Sequence, residues 1–219
     1  MSDWIQHPLL QQAGVSHGFG LRTSPARPGV RRGKQVHGAA VVSADEAGDL
    51  GEADACIATR PGVSVGIVTA DCVPVLVAAA DRAVAAIHAG WRGLACGVIP
   101  RALEEIRRVA PGASLVAAIG PAIGACCYEV DAPVIDAVRE RFGEAARAAL
   151  GAGRAGHAQL DLALLARQAL RTAGVPEVSI GAVEACTHCD SERFHSFRRD
   201  GAGAGRLLSW IQVFGGPAT

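Results

Sequence analysis

The segment from Val73 to Ile87 constrains the fold more than any other part of the chain. Val73 to Val77 is a short apolar run, Asp81-Arg82 is a polar break, and Ala83 to Ile87 is a second apolar run. Two such runs joined by so short a break predict a β-hairpin and an antiparallel pairing. The turn lies midway between Cys72 and His88, so folding the chain there brings these two side chains together. Pro74 follows Cys72 closely and cannot donate a ladder hydrogen bond, which predicts disturbed pairing at that strand start. A lone histidine at a strand end is usually just hydrogen-bonded. A cysteine and a histidine brought together by a hairpin are either a catalytic dyad or two metal ligands.

Around this hairpin, Val63 to Val68, Leu115 to Ile119, Val178 to Val183 and Leu207 to Val213 read as further strands. Apolar residues recur at helical spacing from Leu94 to Val109, with Pro100 either in the first turn of a later-starting helix or at a kink. Ala132 to Phe142 and Leu160 to Ala173 read as amphipathic helices separated by an Ala/Gly-rich stretch around Gly151 to Gly156. Ser24 to Gly33 and Cys186 to Gly205 read as exposed loops. Hairpins mixed with helical crossovers predict an α/β fold, a mixed sheet covered by helices. A hydrophobic fraction of 50% with only 4% aromatics suits a layered interior filled by small aliphatic side chains. With 219 residues, no internal repeat and no linker, the chain is expected to form a single domain, 1–219.

Lys+Arg and Asp+Glu both total 21, so there is no basic excess for nucleic acid or an anionic membrane. Residues 1–20 lack a basic start followed by an apolar run, and no segment offers the roughly 20 apolar residues of a spanning helix. A cytoplasmic location is therefore expected, where thiols stay reduced. The odd number of cysteines, 7, argues in the same direction against a disulfide framework. Cys56 and Cys96, set among Ala, Val, Gly and Leu, read as small core hydrophobes.

His37, in Lys34-Gln35-Val36-His37-Gly38, is the third reactive candidate, although nothing local ties it to Cys72 and His88. If it converges with them, two imidazoles and a thiolate suit Zn²⁺ with an open fourth position, as in catalytic zinc sites. Zinc there would lower the pKa of a water toward about 7. Gly90-Trp91-Arg92-Gly93 marks a strand-to-helix turn where Arg92 could hold an anion. Cys126 and Cys127 are adjacent, so their side chains diverge and at most one faces a site. The late loop interleaves Phe194 and Phe197 with Arg193, Arg198 and Arg199, a composition that can stack on a flat ring and grip an anion. Cys186, His188 and Cys189 cluster within it, but an extended backbone there would point His188 and Cys189 apart.

Taken together, KQVHG, TADCVPVL, AAIHAGWRG, GPAIGACCYEV and SFRRDGAGAGR, in this order from about Gln35 to Ile211, closely resemble one family. It is the YfiH/YlmD group, variously called polyphenol oxidase (laccase-like), peptidoglycan editing factor and purine nucleoside phosphorylase. The resemblance implies a mixed-sheet α/β sandwich related to cysteine-dependent deamidase toxins, and a zinc ion held by His37, Cys72 and His88. It also implies phosphorolysis of adenosine, inosine and methylthioadenosine, together with adenosine deamination, so purine nucleoside and phosphate are the expected small-molecule partners. Cys72, His88 and Asp71, a possible proton carrier, form the expected catalytic set, with Arg92, Cys127 and Arg198 on the substrate. Two departures stand out. The segment before His37 is shorter than in most members and lacks their Gly-rich stretch and Asn-Arg pair, and Phe197 stands where a tyrosine is common.

Other activities make different demands. A metal-free Cys72–His88 hydrolase, acting for instance on a peptidoglycan precursor, would survive chelation and be lost on thiol alkylation. Copper-dependent phenol oxidation requires H-x-H pairs, and none occurs among the 7 histidines. A non-catalytic module binding cell-wall or division proteins would have no use for an open metal triad.

Overall fold

Period-two alternation along the hairpin decides the layering. The computed structural model describes residues 3–213. Its strands are β1 (Trp4–Ile5), β2 (Ser16–Gly20), β3 (Val30–Arg31), β4 (Val41–Ser43), β5 (Ala55–Ala58), β6 (Ser64–Thr69) and β7 (Val73–Ala79). They continue with β8 (Ala83–Ala89), β9 (Leu115–Ile119), β10 (Glu129–Asp131), β11 (Leu150–Ala152), β12 (His157–Leu160), β13 (Ile180–Ala182) and β14 (Leu207–Gln212). The α-helices are α1 (Pro8–Gln12), α2 (Trp91–Ala95), α3 (Val98–Val109), α4 (Ala132–Phe142), α5 (Ala146–Ala149), α6 (Leu162–Thr172) and α7 (Phe197–Asp200).

The predicted hairpin is β7–β8, antiparallel, with Pro74 opposite His88 and Val73 opposite Ala89. It forms the centre of a mixed six-stranded sheet of order β13-β9-β7-β8-β5-β4, whose outer pairs β13–β9 and β4–β5 are parallel. Val73, Val75, Val77, Ala85 and Ile87 face one way and pack with Val98, Ile99, Leu103 and Ile106 of α3 and with Leu165 and Leu170 of α6. Leu76, Ala78, Val84 and Ala86 face the other way, into a second core shared with Phe19, Val65, Ile67 and Ile211. Those last four belong to the five-stranded sheet β1-β2-β14-β6-β3. The molecule is thus a layer of helices, a mixed sheet and a second sheet, the α/β sandwich expected. His88 continues the Val84–Ala86 side of β8, so alternation turns its ring between the two sheets rather than toward the helices.

Several expected elements differ in detail. The helix read from Leu94 to Val109 is two helices, because Gly97 takes a left-handed φ of 80° and interrupts it. Pro100 then falls in the first turn of α3, where its missing N–H costs no hydrogen bond. The helix read from Leu160 begins at Leu162, since 157–160 pair as β12. The Ala/Gly-rich stretch holds the turn between β11 and β12. Only Ile180–Ala182 of the late strand pairs, after a 3₁₀ turn over Glu177–Ser179. The late loop contains α7 and a second 3₁₀ turn. Cys56 is buried as expected, whereas Cys96 is exposed at the break between α2 and α3. Among the described residues, no helix is long and apolar enough to cross a membrane.

Candidate active site

The chain switches sheets at Ala70-Asp71-Cys72, leaving β6 in one sheet and entering β7 in the other. Asp71 makes the corner with a left-handed φ of 92°, and the turn leaves Cys72 just before β7, beside the end of β8. His37 reaches the same point from a loop. Its own φ is 60°, and the loop is held by one buried side chain, Asp54. The Asp54 carboxylate accepts the backbone N–H groups of Val36 (3.2 Å), His37 (3.0 Å) and Gly38 (2.7 Å). It also receives His88 Nδ1 at 2.7 Å. Burial raises the Asp54 pKa, but the His88 bond and the N–H groups of Gly38 and Val36 outweigh it and hold the carboxyl below its ordinary value. An ionised Asp54 must accept from Nδ1–H, which leaves His88 Nε2 free to face the site.

His37, Cys72 and His88 each present one ligand atom, and the three atoms lie within 4.8 Å of one another. The two imidazole rings stand edge to face, their centroids 4.8 Å apart. Burial pushes the Cys72 thiol up, but hydrogen bonds to His37 and His88 outweigh it and bring its pKa down to about 7. Burial lowers His88, while its bonds to Asp54 and Cys72 prevail and raise it to about 9. A Cβ at Gly90 would sit 3.0 Å from Cys72 Sγ and 3.2 Å from His37 Cδ2, so a larger residue there would press on the thiol and imidazole where they converge. The donor set, the carboxylate behind one imidazole and the glycine cradle all fit a zinc ion.

The trio lines a cavity of about 910 Å³, ample for a nucleoside-sized ligand. Asp71, Arg92, Tyr128, Phe197 and Arg198 also line it, together with Arg32, Lys34 and Arg206. Five basic residues against Asp49 and Asp71 make the cavity electropositive within a chain of zero formal net charge. Arg92 lies over the Trp91 ring at 4.3 Å, and Arg198 over Tyr128 at 5.0 Å. Phe197 is 53% exposed, an aromatic face offered to the cavity. Despite the short segment before His37, Arg32, Gly33 and Lys34 still line the cavity.

Two expected site residues have partners that the sequence did not indicate. Both oxygens of Asp71 are engaged, Oδ1 by the Thr187 hydroxyl at 2.6 Å and Oδ2 by the Arg198 backbone N–H at 2.6 Å. Asp71 thus ties the late loop to the sheet corner. Cys127 is not in the cavity lining; its Sγ lies 3.3 Å from that of Cys189. The important residue missed from sequence is Asp54. Its only sequence signal is an acid placed directly before the fully buried strand β5.

With this geometry, the whole-chain comparisons are consistent. Residues 20–214 match the family described as multi-copper polyphenol oxidoreductase laccase. The chain belongs to this YfiH/YlmD family. A Pseudomonas aeruginosa protein named purine nucleoside phosphorylase is 42% identical over 183 residues, covering 81% of this chain and 72% of that protein. A protein from an unknown prokaryote, named adenosine deaminase, is 32% identical over 160 residues, covering 72% of this chain and 61% of that protein. The crystal structure of YlmD from Geobacillus stearothermophilus superposes with a TM-score of 0.84 at 26% identity, covering 98% of this chain and 100% of that one.

Proposed function

We propose that this member of the family is a zinc-dependent purine nucleoside enzyme, able to phosphorolyse adenosine and related nucleosides and to deaminate adenosine. The carrying observation is the convergence of His37, Cys72 and His88 in the lining of an electropositive, nucleoside-sized cavity. The names of the relatives support the same substrate class. The copper chemistry in the family's description is not favoured, since no candidate metal group among the described residues holds more than two histidines. Bound to the trio, zinc would supply a Lewis acid that polarises oxygen and eases loss of a proton from water.

The remaining work falls to the chain. Phe197 offers a flat face for the purine, and Arg92 and Arg198 offer charge-assisted bonds to phosphate. Asp54 holds the His88 tautomer. Asp71 positions Arg198 by gripping its backbone N–H. In phosphorolysis a phosphate oxygen bonds to ribose C1′ as the C1′–N9 bond breaks, and the base leaves with that electron pair and gains a proton. In deamination water adds at C6 and ammonia departs.

The test is to incubate the zinc-loaded protein with adenosine, with and without phosphate. Phosphate-dependent release of adenine and phosphate-independent formation of inosine are expected, both lost on chelation and restored by zinc. The absence of both products from zinc-loaded protein sinks the proposal. Full activity after chelation, abolished by alkylating Cys72, would instead establish the metal-free dyad that the lowered Cys72 pKa favours.

A further inference from the structure

Outside the cavity, four more cysteines converge. Cys126 and Cys127 sit in a turn closed by Cys127 N–H on the Gly124 carbonyl at 3.0 Å. Cys186 and Cys189 sit in a turn closed by Asp190 N–H on the Cys186 carbonyl at 3.1 Å. The two turns, about sixty residues apart in sequence, are laced together through Ala122 and Cys186, with Thr187 N–H on the Ala122 carbonyl at 3.0 Å. The four sulfurs lie within 4.8 Å of one another, with Cys126–Cys189 at 3.7 Å and Cys127–Cys189 at 3.3 Å. Zn–S bonds of about 2.3 Å around a tetrahedron place sulfurs about 3.8 Å apart. The observed distances, 3.3 and 3.7 Å with all four sulfurs inside 4.8 Å, bracket that spacing.

Two further observations point to a ligand. Gly124 donates its N–H to Cys186 Sγ at 3.2 Å, the kind of bond that supports a metal-bound thiolate. A Cβ at Gly124 would press on Cys126 Sγ at 3.2 Å and on the Cys186 Cβ at 3.3 Å, so glycine gives the cluster its room. All four cysteines are free and exposed or half-buried, so an ion can reach them.

We propose that Cys126, Cys127, Cys186 and Cys189 form a second zinc site, closed and structural, that clips the 124–128 turn to the 186–189 turn. Four thiolates in a tetrahedron leave no open coordination position, unlike the His37–Cys72–His88 set. The clip anchors both loops that wall the cavity, one bearing Tyr128 and the other Phe197 and Arg198.

The experiment is metal analysis and zinc X-ray absorption on the full-length protein and on Cys72→Ala, which removes a ligand of the first site only. The wild type is expected to carry two zinc ions per chain. Cys72→Ala should keep one, with a sulfur-only shell at about 2.3 Å, and C126S/C189S should lose that ion. Should Cys72→Ala fail to fold, the wild type decides. Two sites predict an average of about 2.5 sulfurs per zinc, against about 1 for the cavity site alone. A wild type with one zinc in a sulfur-only shell would support the clip and count against the cavity metal. A lone zinc with mixed nitrogen and sulfur ligands, iron in place of zinc, or a disulfide among the four cysteines overturns the proposal.

Discussion

Asp54 shows how much one buried carboxylate can organise. Four groups converge on it, three backbone N–H groups of the His37 loop and the His88 imidazole, so it sets both the path of the loop and the orientation of a ligand. Such a group lies behind the ligands, and its loss is felt in metal affinity before it is felt in the fold. Asp54→Asn keeps the shape but removes the negative charge and one acceptor, and zinc affinity should fall about 10- to 100-fold. Competition against a chromophoric chelator measures this; an unchanged affinity would show that the carboxylate serves only the loop. Cys72 and His88 were legible at this scale because a hairpin brings the start of β7 beside the end of β8. The divergence expected of the adjacent Cys126 and Cys127 does not occur, because the turn they sit in brings both thiols to Cys189, at 3.7 and 3.3 Å.

At the scale of elements, legibility followed periodicity. α3 buries Val98, Ile99, Ala102, Leu103 and Ile106, an i, i+4, i+8 stripe readable from the chain. Its beginning was not readable, because the break depends on Gly97 adopting a left-handed conformation that glycine permits but does not require. α6 has a clearer start, where the Asp161 side chain accepts the Leu164 N–H at 2.8 Å. Asp161→Ala should cost about 1 kcal/mol, read as a lower urea midpoint with an unchanged slope, while zinc content stays constant. A changed zinc content would mean that the helix start and the metal sites are coupled. The extended backbone assumed for Cys186 to Cys189 failed for the opposite reason to α3. Those residues form a turn, and a turn brings positions i and i+3 together.

For the whole molecule, the central fact is that β7 contributes to two cores at once. Its odd-numbered residues pack against helices and Leu76 and Ala78 against the second sheet. Leu76 is fully buried, so Leu76→Ala should cost about 2–5 kcal/mol. Because the strand is shared, far-UV dichroism and tryptophan fluorescence should still report one coincident unfolding transition. Separate transitions would show that the two layers fold independently. The chain by itself determined the α/β class, the central hairpin and the pairing of Cys72 with His88, because these follow from local periodicity and a short turn. The family resemblance already implied that His37 joins them; only the tertiary structure decided that Asp54 stands behind them and that four distant cysteines meet. Those meetings depend on where two sheets cross and which loops they bring together, and no periodicity along the chain encodes that.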